Sequence, residues 1–431
     1  MSGHGQSPHG ASARDSYPKS RQEFAAARGL IPGGVTAARR PTSFSDVADW
    51  PIYTERVDGC HVWDVDGNRY IDYLCAFGPI VLGYRNRRVN QAAIREIRRG
   101  FIANLSFTIQ NRLAERLIDL LPSAERVLFT KTGSDACTLA VRLARGYTGR
   151  DRVVRWGYHG WHDWCLGRKG AGEVLGQRTG PYLDAAGVPD QVAELTDTFV
   201  YGDLQSLEQA LERHRGEVAC IILQPFEFEL PPEGFLPGVR ALADRHGAVL
   251  VFDEIRTWPR VHLGGAQHYL GVTPDLTAIS KALANGYPIS ALVGRAEVME
   301  ADVFYSSTYL VSTFEMAAAL ETLRQLQAGA LERIWDLGRR FSDGLAQLVA
   351  GSGVQARVLG IPPQPFLLFD SGDPARDLER KRVFYRSALD HGVFLHPNTH
   401  WFISSAHTPY LVDQTLAALE RSLHAVQALD R

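Results

Sequence analysis

The sequence predicts an α/β protein in which helices flank a mostly parallel sheet, accompanied by a smaller α+β unit. Through the middle of the chain, short apolar stretches alternate with amphipathic helical stretches, which is typical of parallel strands covered by helices on both faces. The 431 residues are 45% hydrophobic and carry a formal net charge of −2, so a large core is expected and disorder of the whole chain is excluded.

The chain begins with polar residues 1–20, for which we predict a disordered lead. An N-terminal segment, 21–85, is expected to join the small domain. It contains the Asp66-Gly67 pair between apolar stretches, which predicts a hairpin turn. The large ligand-binding domain is placed at 86–324 and opens with a predicted helix over 89–101. The small C-terminal domain is placed at 325–431.

Within the large domain, the predicted strands are 126–129, 152–156, 219–223, 249–252, 276–279 and 289–293. The predicted helices between them include 136–145, 204–213 and 238–246. The spacing of apolar residues then predicts one long helix from 313 to about 348 and a final helix over 411–429, with Pro-rich and Gly-rich strands between.

Charge and cysteine usage narrow the class of function. Without a basic surplus the sequence gives no reason to expect a nucleic-acid partner. The longest apolar runs, such as 248–252, fall far short of the ~20 residues of a membrane-spanning helix, and the first residues lack the apolar part of a signal peptide. The five cysteines have no metal-ligand spacing, so we expect free buried thiols in a reducing, cytoplasmic setting without membrane contact.

Ligands bind at the carboxyl ends of the strands in open α/β sheets, and chemically active residue types follow several predicted strands. Gly133 and Ser134 lie between a strand and a helix whose first N–H groups suit a phosphate. Asp253 follows a second strand and Lys281 a third, directly before a glycine turn. Taken singly, each has an ordinary alternative: a helix cap, an exposed acid, or a lysine extended along the surface.

Together these residues point to one cofactor. Schiff-base chemistry with pyridoxal phosphate needs a lysine, an acid beside the pyridine nitrogen, a phosphate site and an aromatic ring. The chain offers Lys281, Asp253, the Gly133-Ser134 turn and Tyr158 of GYHGWHD. Lysine is rare here, at five of 46 basic residues, which singles out one that follows an apolar strand.

The sequence resembles the class III, fold-type I pyridoxal-phosphate aminotransferases, and most closely their glutamate-1-semialdehyde aminomutase-like branch, from residue 24 to the C-terminus. The matching motifs include IPGGV (31–35), DVDGNRYIDYL (64–74), FGPIVLGY (77–84), YHGWHD (158–163), SKALANGYPISALVGR (280–295) and SSAHT (404–408). The resemblance implies that Lys281 forms the Schiff base and shuttles the substrate proton. It implies that Asp253 partners the pyridine nitrogen, while Tyr158 and Ile255 pack on the two ring faces.

The resemblance also implies the remaining contacts. Gly133 and Ser134 are expected to hold the phosphate, and Thr308 to reach the phosphate of a neighbouring subunit, which implies a homodimer with shared sites. For the substrate carboxylate the aligned residue is Arg40, with Arg39 or neither as alternatives. Phe77 is a further substrate candidate.

Three departures from the family pattern bear on specificity. Gln224-Pro225 stands where the family has Glu-Pro, so Gln224 is expected beside the cofactor. The motif after Asp253 reads DEIRTWPR, which adds Arg256 and replaces a Gly-Phe pair by Trp258-Pro259. The later SSTYLVSTFEM also differs. We therefore expect a substrate other than glutamate 1-semialdehyde, in specialised metabolism.

We assign no metal-binding role to the histidines. For His159 and His162 we predict a role as hydrogen-bonding residues of their loop. Four C-terminal residues resemble the segment that closes over the substrate in this branch, with direct substrate contact the less favoured interpretation: His396, His400, Trp401 and His407.

The predicted function is transfer of an amino group from an amino-acid donor to an aldehyde or ketone. An intramolecular aminomutase and an amino-acid racemase or epimerase remain alternatives, because all would use Lys281. A catalytically inactive binding scaffold is a remote alternative, since a scaffold has no physical reason to keep the lysine, the acid and the phosphate turn. The sequence does not name the donor or the acceptor.

Overall fold

The structure is a computed structural model that describes residues 17–36, 49–166 and 187–430, with the backbone of 173–174 and 177–178. The strands are β1 (Thr54–Asp58), β2 (His61–Asp64), β3 (Arg69–Asp72), β4 (Arg126–Thr130), β5 (Arg152–Trp156), β6 (Glu173–Val174), β7 (Gln177–Arg178), β8 (Thr196–Thr198), β9 (Val218–Leu223), β10 (Val249–Asp253), β11 (Leu276–Ile279), β12 (Ser290–Gly294), β13 (Ala356–Ile361), β14 (Gln364–Phe369) and β15 (Val393–Phe394).

The α-helices are α1 (Pro18–Ala27), α2 (Arg87–Arg99), α3 (Ile109–Leu120), α4 (Gly133–Thr148), α5 (Asp190–Ala193), α6 (Leu204–Arg213), α7 (Phe235–His246), α8 (Gly265–Leu270), α9 (Ala296–Met299), α10 (Phe314–Gln325), α11 (Leu331–Ser352), α12 (Pro374–Asp390) and α13 (Pro409–Asp430). Among the described residues, none of these helices is both long and apolar enough to cross a bilayer.

The central sheet has the order β4-β12-β11-β10-β9-β5-β8. Strand β10 pairs in parallel with β9 and β11, and β5 pairs in parallel with β9 and β8. Strand β12 runs antiparallel to β11 and β4, because residues 280–289 are too short for the crossover of about a dozen residues that a parallel partner needs. All six predicted strands of the large domain, and its three predicted helices, are confirmed within a few residues.

Apolar side chains cover both faces of this sheet. Strands β9, β10, β11 and β12 are buried along their whole length, which explains why they read as continuous apolar runs rather than as alternating ones. Helix α4 packs against β9, β10, β11 and β12 on one face, and α6 and α7 pack against the strands on the other.

The smaller sheet joins two parts of the chain that are distant in sequence. Its order is β1-β2-β3-β15, with β15 parallel to β3 through the Val393–Ile71 pair. The predicted hairpin at Asp66-Gly67 is confirmed between β2 and β3, where Gly67 has φ 92°. The domain boundaries at 85/86 and 324/325 stay a prediction.

Two predicted segments were wrong in part. The single helix over 313–348 is two helices, α10 and α11, because Gly329 adopts φ 105° and interrupts the helical backbone; glycine reaches this conformation without a Cβ clash. Residues 17–20 of the expected disordered lead belong to the fold. Tyr17 is buried there, and the N–H groups of Lys19 and Ser20 donate to Asp66 at 2.8 and 3.1 Å.

Strand β10 leads into a fully buried acid, Glu254, that ties the sheet to α8. Its carboxylate accepts hydrogen bonds from the N–H groups of Ala266 and Gln267, from the Gln267 side-chain amide at 3.1 Å and from the Thr257 hydroxyl at 3.2 Å. Burial raises the pKa of Glu254, and these donors oppose that shift. Glu254 therefore anchors α8 beneath the sheet edge.

Replacing this acid tests its structural role. Glu254→Ala leaves four buried donors without their acceptor, so we expect the free energy of unfolding to fall by about 3 kcal/mol. Chemical denaturation of the purified variant measures this loss. Glu233→Ala, at an exposed position, is the control. Equal stability of the two variants would contradict the anchoring role.

Candidate active site

The carboxyl ends of neighbouring strands bring the predicted site residues to one edge of the sheet. Gly133 follows β4, Tyr158 follows β5, Gln224 follows β9, Asp253 ends β10 and Lys281 comes two residues after β11. Strand β4 points the same way as the parallel strands because the antiparallel β12 lies between β4 and β11. The sheet topology therefore places five separate sequence motifs along a common edge.

The Asp253 carboxylate is buried and held by three groups. One oxygen, Oδ2, lies 2.7 Å from His159 Nδ1 and 3.5 Å from Cys137 Sγ. The other, Oδ1, accepts from the Ile255 N–H at 3.1 Å. Because both oxygens have partners from different elements, the plane of the carboxylate is fixed.

Both ring nitrogens of His159 have a hydrogen-bond partner. Its Nε2 lies 3.0 Å from the Trp156 carbonyl oxygen, and a carbonyl only accepts. Its Nδ1 faces the Asp253 carboxylate in a fully buried pair. Nε2 therefore donates to the Trp156 carbonyl, and Nδ1 holds the Asp253 carboxyl group, so His159 links the end of β10 to the end of β5.

Three ligand-type atoms, from Cys137, His159 and Asp253, lie within 4.8 Å of one another. Their contacts are those of a hydrogen-bond network. Burial and Asp253 raise the pKa of the Cys137 thiol well above its usual value, so the neutral thiol donates. The prediction that both loop histidines form hydrogen bonds is confirmed, since His162 Nδ1 lies 2.7 Å from Thr138 Oγ1.

The start of α4 has the geometry of an anion site. Thr132 caps the helix, with its hydroxyl accepting from the Asp135 N–H and its own N–H donating to the Asp135 carboxylate at 2.8 Å. Helix α4 is long, so its N-terminus carries a positive partial charge beside Gly133 and Ser134.

Two glycines allow close packing at this helix start. A Cβ at Gly133 would lie 2.7 Å from Ile255 Cδ1, so Ile255 packs directly on the helix start. A Cβ at Gly160 would lie 2.2 Å from Ser134 Oγ, and Gly160 has φ 106°. The loop after β5 therefore lies against Ser134, with the side chain of Tyr158 47% exposed beside it.

Lys281 occupies a strained position with a lowered pKa. Its backbone has φ 41°, rare for a residue with a side chain, and the residue is half-buried. Burial, with a contribution from the nearby Arg256 guanidinium, lowers the pKa of Lys281 to about 8, although Asp253 and Glu227 act in the opposite direction. A lysine of this kind has a usable fraction of neutral amine near neutral pH.

Phe77 belongs to a left-handed turn. Cys75, Ala76, Phe77 and Gly78 have φ of 49°, 56°, 66° and 102°, which is strained for the first three. The Asp72 carboxylate supports the turn by accepting from the Leu74 and Cys75 N–H groups at 2.8 and 3.1 Å.

The half-buried Phe77 ring packs edge-on against the ring of His396, with 5.5 Å between the ring centres. The predicted substrate contact Arg40, like the alternative Arg39, lies outside the described residues. The predicted subunit contact Thr308 is exposed and opens a short 3-10 helix, Thr308–Val311.

The four C-terminal residues are buried in the interior: His396, His400, Trp401 and His407. Trp401 Nε1 donates to the His396 carbonyl at 3.0 Å, and burial lowers the pKa of His396 to about 3 and of His407 to about 4. These contacts are internal to the fold.

Sequence reasoning missed several residues that support the site. Arg256 was noted only as an added residue, yet its guanidinium binds Glu227 at 2.9 Å in a largely buried pair. Asn285, with φ 48°, binds the N–H groups of Val81 and Leu82 through its side chain at 3.0 and 2.8 Å. The sequence does carry a signal for Arg256, because this residue directly follows the DEI segment that contains Asp253. No sequence signal indicates the long-range contacts of Asn285.

The residues present fit pyridoxal phosphate. The edge combines a lysine of lowered pKa, an acid held in a buried pair with a histidine, a half-exposed aromatic ring and a helix N-terminus closely packed by Ile255. This donor set matches the amine, ring-nitrogen, ring-face and phosphate contacts that this cofactor needs.

Comparison with known proteins agrees with this fit. Residues 44–420 match the aminotransferase class-III family. The chain belongs to the class III aminotransferases. It is 39% identical over 425 residues to the 3-aminobutyryl-CoA aminotransferase of Cloacimonas acidaminovorans, covering 95% of this chain and 98% of that protein. It is 35% identical over 421 residues to the glutamate-1-semialdehyde 2,1-aminomutase of Methanothrix thermoacetophila, covering 93% and 95%.

A solved structure shares the whole fold. The pyridoxal-phosphate internal aldimine form of the FumI protein from Sphingopyxis sp. MTA144 superposes with a TM-score of 0.86 and 30% identity, over 95% of this chain and 96% of that one. This class III aminotransferase therefore uses pyridoxal phosphate, and its fold is fold type I, as the sequence predicts.

The lowered pKa of Lys281 is directly measurable in the cofactor-free protein. Because the neutral amine reacts and the ammonium does not, acylation of Lys281 should reach half its maximal rate near pH 8. An ordinary exposed lysine reaches that point near pH ~10.4. Peptide mass spectrometry after brief labelling across a pH series gives both curves. A Lys281 midpoint equal to that of exposed lysines would contradict the site's geometry.

Proposed function

We propose that Lys281 is the residue that binds pyridoxal phosphate covalently and that the enzyme uses it to move an amino group from an amino-acid donor to an aldehyde or ketone. The observation that carries this proposal is the arrangement at the sheet edge, where Lys281 follows β11 and the buried Asp253–His159 pair ends β10. When bound, pyridoxal phosphate supplies an aldehyde that condenses with amines and a ring that accepts electrons.

The buried pair has a clear part in this scheme. Asp253, held in place by His159, is the proposed partner of a protonated pyridine nitrogen. Tyr158 and Ile255 come from the loops after β5 and β10 and are the proposed contacts of the two faces of a ring. Ile255 packs against Gly133. The carbonyl oxygen of Tyr158 accepts a hydrogen bond from Gln224 Nε2 at 3.3 Å.

Lys281 is the proposed acid and base. Its lowered pKa allows the neutral amine to take a proton from a substrate carbon and the ammonium to return it to another atom. Gly133 and Ser134, at the N-terminus of α4, are the proposed phosphate contacts on this side of the site.

We also propose a homodimer with shared sites. Thr308 is exposed among large apolar side chains that are unusual on a monomer surface, including Phe304 at 80% and Tyr309 at 61% exposure. A second copy that covers this surface would bring Thr308 to the partner's phosphate site. The five buried free cysteines support a cytoplasmic location.

For the substrate class we favour an amine on the carbon β to an acyl group. The support is the 39% identity to a 3-aminobutyryl-CoA aminotransferase, whose named substrate carries its amine at that position. Arg40 and Phe77 remain the proposed substrate contacts. The second candidate is an aminomutase, favoured by the 35% identity to a glutamate-1-semialdehyde 2,1-aminomutase.

A donor panel separates these functions. The purified enzyme is mixed with single amines, including α-amino acids, β-amino acids and 3-aminobutyryl-CoA, without any carbonyl acceptor. For an aminotransferase we expect one donor to shift the cofactor's visible absorbance into the near ultraviolet and to release its carbonyl product. Isomerisation of glutamate 1-semialdehyde without an external amino donor would favour the aminomutase. Exchange of the substrate's α-proton with solvent, without transfer of the amino group, would favour a racemase.

Borohydride reduction provides the matched control. It should fix the cofactor on the peptide that contains Lys281, and Lys281→Ala should lose both this adduct and nearly all turnover. Lys131 also follows a strand, but its ammonium group pairs with Glu315 at 2.9 Å. The control variant Lys131→Ala should therefore keep the adduct on Lys281. An adduct on a different lysine would contradict the proposal.

The proposed dimer surface is tested by charge. Phe304→Glu and Tyr309→Glu should shift the sedimentation of the protein from dimer towards monomer, because a carboxylate is costly to bury in an apolar interface. Tyr410→Glu, on the exposed side of α13 at 68% exposure, should leave the dimer intact. A wild type that sediments as a monomer at micromolar concentration would exclude the dimer.

A further inference from the structure

Arg256 connects two parts of the site that are distant in sequence. Its Nη1 donates to Glu227 Oε1 at 2.9 Å and to His400 Nδ1 at 3.2 Å. Its Nη2 donates to Gln224 Oε1 at 3.2 Å and to the Phe226 carbonyl at 3.3 Å. The guanidinium therefore joins the loop after β9 to the C-terminal residue His400.

The backbone of the same residue makes a second link. Gln364, the first residue of β14, donates from its side-chain amide to the Arg256 carbonyl at 2.8 Å. Only 9% of the Arg256 side chain is exposed. Both ends of Arg256 are thus attached to the C-terminal part of the chain.

The guanidinium dictates how its neutral partners are oriented, because it only donates hydrogen bonds. His400 must accept at Nδ1, so its proton lies on Nε2 and is donated to the Glu227 carbonyl at 2.9 Å. Gln224 must accept at Oε1, which turns its NH₂ group towards the Tyr158 carbonyl, 3.3 Å away. An amide that can otherwise flip is held in one orientation.

Only an amide can complete this chain of contacts. A glutamate at position 224 would accept from Arg256 equally well, but it has no donor for the Tyr158 carbonyl. An apolar side chain of similar length would make neither contact. The two departures that the sequence shows separately, Gln224 and Arg256, are therefore physically one unit.

We propose that Arg256 and Gln224 act as a pair of positioning residues: Arg256 orients the Gln224 amide, and the amide holds the loop that carries Tyr158 and His159. Through this pair the C-terminal residues Gln364 and His400 set the position of the ring-binding loop. The proposal deepens the proposed function and rests on the cofactor site described there.

The first test compares two variants of Gln224. Gln224→Met removes both contacts, and Gln224→Glu removes only the donor to Tyr158. We expect each variant to raise the dissociation constant of pyridoxal phosphate about tenfold, since one buried hydrogen bond is lost at the loop. Fluorescence titration of the cofactor-free protein measures this constant. Wild-type affinity in Gln224→Met would overturn the proposal.

The second test examines whether Arg256 acts through Gln224. In an Arg256→Met background, Gln224→Met should weaken cofactor binding by less than about twofold, because the amide has already lost its orientation. Arg256→Lys keeps a positive charge beside Glu227 but lacks the second nitrogen of the guanidinium, which donates to Gln224. A full tenfold effect of Gln224→Met in both backgrounds would overturn the coupling.

Two further readouts separate positioning from general loss of structure. Arg256→Met should raise the pH midpoint of Lys281 acylation, whereas Arg256→Lys and Gln224→Met should leave it unchanged, because only the first removes a charge. Hydrogen exchange of residues 157–162 in the cofactor-free protein should quicken in Gln224→Met. Unchanged exchange in that loop would contradict the proposal.

The outcomes also distinguish this inference from the proposed function. A wild type that takes up no pyridoxal phosphate on Lys281 refutes the proposed function, while the exchange measurement still decides whether Gln224 holds the loop. A wild type that binds the cofactor on Lys281, with Gln224 variants that match it in affinity and exchange, refutes only the positioning pair.

Discussion

The carboxylate of Asp253 lies in the interior at the end of β10, where an ionised group without partners costs several kcal/mol. Its partners come from three elements: His159 from the loop after β5, Cys137 from α4 and the N–H of Ile255 from its own loop. Satisfying one buried carboxyl group therefore positions the loop after β5 and the start of α4 relative to each other.

Neighbouring acids on this strand end have different roles because consecutive side chains point to opposite sides. Asp253 faces α4 and the site, whereas Glu254 faces α8 and accepts four hydrogen bonds there. In the sequence both acids directly follow one apolar run, and the resemblance to the family singles out Asp253. Both acids are buried, so burial alone does not tell their roles apart. Their hydrogen-bond partners do.

How much the sequence predicts depends on how local the cause is. Lys281 and the strands of the central sheet carry local signals, namely apolar runs followed by a reactive side chain or a glycine. The break at Gly329 does not, because a glycine inside a helix costs only about 1 kcal/mol and does not by itself end it. The partners of Arg256 lie at positions 224, 227 and 400, and no pattern in the sequence links positions so far apart.

The charges around Lys281 explain why an amide suits position 224. Arg256 and Arg260 lower the pKa of Lys281, whereas Asp253 and Glu227 raise it. Among the described residues, Arg260 has no carboxylate partner and donates instead to the carbonyls of Gly78 and Ile403. A third carboxylate at 224 would stabilise the ammonium form of Lys281 and reduce the neutral amine near pH 7. Gln224 accepts from Arg256 without adding that charge, so the same side chain that orients the loop leaves the lysine reactive.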